Sequence, residues 1–154
     1  MSLTRGLKSV AAAATLLAAT IFSAGAQEGW IVKTSPATVA QTADKLVAAV
    51  ENAGATVFAR VDHAAGARSV DADLADMTLV MFGNPKLGTP ILQAAPRAGL
   101  DLPIRVLIWD EAGETQLGYL DPAALKQRHG VEGADAAFEA MTGALDKLTD
   151  AATN

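Results

Sequence analysis

The sequence predicts an α+β fold: a single compact domain with helices packed on a mixed or antiparallel sheet, preceded by a signal peptide. Three observations lead there. Strand-like apolar runs and helix-period segments follow one another in the order β-α-β-β-α-β-β-α-α. Only Glu111-Ala112-Gly113 separates the two strands of one pair, which calls for an antiparallel hairpin. Residues 27–154 contain no repeat, linker or low-complexity stretch and are numerous enough for one core, centred on 31–148.

The leader is expected over 1–26. Arg5 and Lys8 form a positive start, Ser9 to Phe22 is uncharged and apolar, and Ala24-Gly25-Ala26 is the small-x-small pattern cut before Gln27. The apolar run of about 14 residues is short of the ~20 that a permanent membrane helix needs, so no stable anchor is expected after cleavage; an uncleaved anchor is the alternative. The expected destination is the periplasm, with secretion as second choice.

After the leader, Trp30 to Thr34 reads as a strand. Ser35-Pro36 reads as a helix start, a hydroxyl cap followed by proline, with Val39, Ala43, Leu46, Val47 and Val50 on one face and Gly54 as the stop. Thr56 to Asp62 is a β-branched strand, and 63–76 is a loop or one short helix. Met77 to Phe82, apolar without interruption, reads as a strand buried on both faces, ending at Gly83-Asn84-Pro85. Thr89-Pro90 restarts a helix up to Pro96. Leu102 to Asp110 and Glu114 to Leu120 form the hairpin. Asp121-Pro122 opens a helix closed by Gly130, and Phe138, Met141, Leu145 and Leu148 mark a last amphipathic helix.

Charge and composition narrow the function classes. The chain has 12 Lys+Arg and 17 Asp+Glu, and the leader holds two of the basic residues and no acidic one, which leaves the domain at a formal −7. Nucleic acid and anionic membrane surfaces require a basic patch and are not expected as partners. With no cysteine, thiol chemistry and disulfides are excluded.

Several separated motifs, in order, resemble one family. They are Phe58-Ala59-Arg60-Val61-Asp62-His63-Ala64-Ala65-Gly66-Ala67, Phe82-Gly83-Asn84-Pro85-Lys86 followed by Gly88-Thr89-Pro90, Leu100-Asp101-Leu102-Pro103 leading into the Arg105 to Trp109 strand, Tyr119, Asp121-Pro122, and Arg128-His129-Gly130. The chain resembles domain-of-unknown-function family 302 from about Ile31 to Leu148. The resemblance implies a compact α+β domain, often a homodimer, found in cytoplasmic and exported proteins, with no established activity. The segment Arg68-Ser69-Val70-Asp71-Ala72-Asp73 is more acidic than the family pattern.

Candidate chemistry gathers in two motifs. Asp62-His63 ends a strand: Asp62 is a turn-capping carboxylate or a ligand contact, and His63 is a general base, a metal ligand or a structural histidine bonded to loop backbone. His129 ends a helix, where the dipole welcomes a cation. Two distant histidines make a metal site only with carboxylates such as Asp62 or Asp71, so neither metal nor cofactor is expected. The Gly83 to Pro90 segment, with Asn84, Lys86 and Thr89, reads as a carboxylate or phosphate site at a helix N-terminus, or as a rigid turn. Tyr119 is a hydrogen-bond donor near that region or a core-edge residue, and Trp109 belongs to core or dimer interface.

Three functional readings follow. The first is a module binding a small polar or anionic ligand through Asp62, His63, Asn84, Lys86 and Thr89. The second is an enzyme with His63 as general base and Lys86 or Tyr119 stabilising negative charge. The third is a structural or interaction protein without a ligand site.

Overall fold

Five antiparallel strands form one sheet in which the first strand of the chain is followed, side by side, by the fifth, fourth, third and second. The computed structural model describes residues 29–154; the expected leader, 1–26, lies outside the described residues. Along the chain come β1 (Trp30–Ser35), α1 (Val39–Asn52), β2 (Thr56–Asp62), α2 (His63–Arg68), β3 (Met77–Gly83), α3 (Pro85–Ala94), a 3₁₀ turn (Pro96–Leu100), β4 (Ile104–Glu111), β5 (Glu114–Leu120), α4 (Pro122–His129) and α5 (Asp135–Thr153).

Strand alternation assigns each side chain to a face. Val80, Phe82, Ile104, Val106, Ile108, Leu117 and Tyr119 point to one side and meet Ala43, Leu46 and Val50 of α1 and Phe138, Met141 and Leu145 of α5 in a single core. The opposite side carries a row that crosses all five strands: Val61, Leu79, Leu107, Gly118 and Val32 in register. Val32 is half exposed and Val61 is 39% exposed, so this apolar face is open. The uninterrupted run in β3 therefore has a different meaning from full burial. Thr78, Val80 and Phe82 are buried on the helix side, whereas Met77, Leu79 and Met81 are only half-buried on the open side.

Two helices begin elsewhere than expected, each because a better-placed side chain captures the first free amides. Ser35 stays in β1, paired with Thr115 of β5, and its Oγ lies 2.8 Å from Thr42 Oγ1. The cap of α1 is Thr38, in a reciprocal box: Gln41 N donates to Thr38 Oγ1 and Thr38 N donates to Gln41 Oε1. Likewise α3 starts at Pro85 under an Asn84 cap, not at Thr89-Pro90. Pro90 lies inside α3, where the bond it cannot make is to the carbonyl of Lys86, in an exposed first turn. The boundaries of α4 follow the expected signals, with the Asp121 cap, Pro122 at its first position and Gly130 left-handed at φ 58°, whereas β4 begins at Ile104 and not at Leu102, after the 3₁₀ turn.

Candidate functional site

The ladder between β2 and β3 decides where the sequence candidates stand. Asp62 pairs with Thr78, and Thr56 pairs with Gly83. The motif at Asp62-His63 and the motif at Gly83-Asn84 are thus at opposite ends of the same two strands, about 20 Å apart at the usual rise per residue. The composite site of Asp62, His63, Asn84, Lys86 and Thr89 does not assemble within one chain.

Each half has its own local explanation. Asp62 caps α2, accepting from Ala65 N at 2.8 Å, with Arg68 Nη2 3.7 Å from its other oxygen. His63 is the exposed first residue of that six-residue helix. At the other end, the first amides of α3 are already taken. Pro85 has none, Lys86 N donates to Asn84 Oδ1 at 2.9 Å, and Leu87 N and Gly88 N donate to Asn84 O. The expected anion cradle is filled by the protein's own cap, and Lys86 and Thr89 are exposed side chains beside it. Gly83 has Phe58 and Pro103 at ordinary contact distance, and Gly88 is helical with open space beside it.

Tyr119 is not beside either motif. It is 1% exposed under α5, where its hydroxyl donates to Asp146 Oδ1 at 3.2 Å. Burial, then the neighbouring Asp146 charge, pushes the phenol up to about 12. A phenol that is neutral and enclosed at physiological pH has no access to His63, which opens α2 beyond the far edge strand. This placement does not bring His63 and Tyr119 to one pocket. Among the described residues no group of three or more His, Cys, Asp or Glu is placed to hold a metal ion.

Sequence reasoning missed one polar cluster. Asp101, after the 3₁₀ turn, receives His129 Nε2 at 2.7 Å, Arg105 Nη2 at 2.6 Å and Arg128 Nη1 at 3.1 Å. Burial pushes the Asp101 carboxyl up, but bonds from His129 and Arg128 and the charges of Arg128 and Arg105 outweigh it, leaving the carboxyl below its ordinary 3.8. Its parts lie in Leu100-Asp101-Leu102-Pro103 and Arg128-His129-Gly130, about 27 residues apart, and no periodicity links them. His129 stands in the last turn of α4, as expected; the carboxylate that receives it is visible only in three dimensions.

The cavity nearest a sequence candidate is apolar. About 330 Å³ in volume, it opens where β3 passes into α3. Phe82 and Ile104 of the sheet line its inner side, together with Met141, Leu145 and Leu148 of α5. Leu87 and Leu92 contribute from α3, and Phe58, pushed outward by the β-bulge between Val57 and Ala59, stands at the mouth. Asn84 and Thr89 are the polar side chains of its lining.

The domain of unknown function DUF302 matches residues 31–148. The chain belongs to the DUF302 family. Among curated proteins, this DUF302 chain is 40% identical over 123 residues to the fluoride-specific ion channel FluC 1 of Brucella suis biovar 1 (strain 1330), which covers 79% of the chain and 48% of that protein. It is equally similar to FluC 2 of Brucella melitensis biotype 1, covering 46% of that protein. The chain spans about half the length of these relatives. A crystal structure of an uncharacterized conserved DUF302 protein from Bacillus stearothermophilus superposes with a TM-score of 0.73 at 16% identity, over 81% of this chain and 98% of that one. That likeness establishes the shared fold.

Proposed function

We propose that this DUF302 domain is a binding module for a small ligand with an apolar body and one polar end. The observation that carries the reading is the cavity between α3, α5 and the end of the sheet. Its volume is in the range of small-molecule sites, and it combines an apolar wall with few polar groups. Asn84 spends Oδ1 on the α3 cap, which leaves its amide hydrogens for a ligand at the rim, next to Thr89. The ligand class thus shifts from the polar or anionic one expected from sequence to an amphiphilic one, and the Asp62-His63 half leaves the site.

The test is a titration with Nile red, a neutral dye that brightens in apolar surroundings, on the domain and on Ala144→Phe. Ala144 is a half-buried lining residue of α5. Dye binding that is weakened at least tenfold by the added ring supports the pocket. Unchanged binding in that variant, or none in the parent, removes it.

We also propose a homodimer in which a second copy covers the open sheet face. The row Val61, Leu79, Leu107, Gly118 and Val32 supports it, since one apolar sheet side normally packs against another layer. Sedimentation equilibrium of the domain and of Val32→Lys tests it: a dimer that the lysine converts to monomer is expected, and a monomeric parent ends the idea. For location we propose export to the periplasm, on the strength of the leader pattern at 1–26. N-terminal sequencing of the protein recovered from that compartment should begin at Gln27. The fluoride-channel names belong to proteins about twice the matched length, and an activity of a whole protein does not pass to a part.

A further inference from the structure

We propose that the cleft between Arg105 and Arg128 is a second ligand site, taking a small organic carboxylate whose apolar body rests on the open sheet face. The cleft has a volume of about 290 Å³ and is lined by Asp101, Arg105 and Arg128 together with Trp30, Leu79, Leu107 and Leu120 among other apolar groups. Arg105 comes from β4 and Arg128 from α4, so two separate elements bring guanidinium groups to one concavity.

The charges there do not cancel. One carboxylate, Asp101, faces two guanidinium groups in a chain whose formal charge is −5. Each arginine is anchored through a single nitrogen. Arg105 uses Nη2, which donates to Asp101 Oδ1 and to Leu100 O, and Arg128 uses Nη1, which donates to Asp101 Oδ2. A guanidinium has five N–H donors in a fixed fork, so both groups retain donors while their orientation is already set. The Asp101 side chain is 12% exposed and the two arginines are 44% and 54% exposed. A purely structural ion cluster accounts for the enclosed carboxylate and for His129; it does not require two half-exposed guanidinium groups on a cavity.

The floor selects the rest of the ligand. Leu79, Leu107 and Leu120 are half-buried on the open face and Trp30 stands at its edge strand. An anion without an apolar body leaves that surface wet, and an apolar molecule without a carboxylate leaves the guanidinium donors to water. A carboxylate meets a guanidinium through two parallel bonds, which fixes both register and orientation. All the charged groups come from one chain, so the site is complete in a single copy; a second copy on the open sheet face covers Leu79 and Leu107, so ligand and dimer exclude each other.

Benzoate is a suitable probe, followed by calorimetric titration and by backbone amide shifts in nitrogen-15 spectra. Saturable binding is expected, with shifts at residues 101–107 and near Arg128. Its Kd should rise about tenfold or more in Arg128→Gln and in Arg105→Gln, as loss of a charge-assisted bond implies. Benzyl alcohol, of the same shape without the charge, should bind more weakly by a similar factor. No benzoate binding, equal binding in Arg128→Gln, or shifts confined to residues 83–92 and 141–148 would overturn the proposal. If Arg105→Gln fails to fold, because it also loses its bond to Leu100 O, the more exposed Arg128→Gln decides alone.

Discussion

His129 Nε2 lies 2.7 Å from Asp101 Oδ2, and this contact ties the C-terminal end of α4 to the corner where the chain enters β4. Both side chains are about nine-tenths enclosed, and Arg105 and Arg128 complete the shell around the carboxylate. A buried carboxylate with three donors is a fixed point of the fold, because removing it leaves those donors without a partner.

Asp101→Asn should therefore destabilise the domain by about 1–3 kcal/mol near neutral pH, the range for a lost charge-assisted bond. The folded-state carboxyl is held below its ordinary 3.8. Its contribution is present above that value and is lost as pH falls through the lower folded value. Urea unfolding of parent and variant should give a clear gap at neutral pH that closes in strong acid. A gap that persists unchanged in acid would contradict this account.

Tyr119 is the chain's single tyrosine, which gives a clean optical signal. Its phenol is raised from 10 to about 12, so the folded state favours the neutral form. That stabilisation is present below the unfolded value of 10 and is lost as pH rises towards 12. Phenolate absorbance should appear near pH 12 while the domain is folded, and near 10 in denaturant. Tyr119→Phe should cost about 0.5–1.5 kcal/mol for the lost bond to Asp146 and leave any ligand binding unaltered.

His63→Ala and Lys86→Ala should each change stability by no more than about 0.5 kcal/mol, since both side chains are exposed. Neither should affect Nile red or benzoate binding. Chemical denaturation with both probes checks this, and a strong effect of either change would restore a role for the residue.

Asn84→Ala should destabilise by about 0.5–2 kcal/mol, because the α3 cap loses the acceptor for Lys86 N. Asn84→Asp keeps an acceptor at the same place and should retain most of the stability. Thermal unfolding of the three proteins orders them parent, aspartate, alanine; equality of parent and alanine would mean that the cap contributes nothing.

Much of the fold is legible in the residues themselves. The hairpin at Glu111 to Gly113, the Asp121-Pro122 start and Gly130 stop of α4, and the apolar stripe of α5 are local signals, each satisfied within a few residues. The helix starts at Ser35 and Thr89 misled because cap chemistry is available to several neighbouring hydroxyl and amide side chains, and the winner is set by where the preceding strand stops pairing. Ser35 is held in β1 by Thr115, and Asn84 is released at the end of β3.

The candidate site was less legible, for a reason of register. Asp62 ends β2 and Asn84 follows β3, and a sequence does not state that those strands run antiparallel as direct neighbours. Once they do, strand ends that look equivalent in the sequence lie at opposite edges of the sheet. The Asp101 cluster was invisible for the converse reason: its members are distant in sequence and are brought together by β4 and α4.

By itself, then, the sequence determined what short-range chemistry can encode: the α+β class, the family, the identity of most elements, and an acidic, cysteine-free composition. The tertiary structure alone decided which strand ends meet, that one apolar sheet face stays open, that the α3 amides are consumed by Asn84, and that Arg105, Arg128 and His129 converge on Asp101. Long-range pairing fixes these, because which strand ends and helix ends become neighbours depends on a partner distant in the sequence and not on local residues alone.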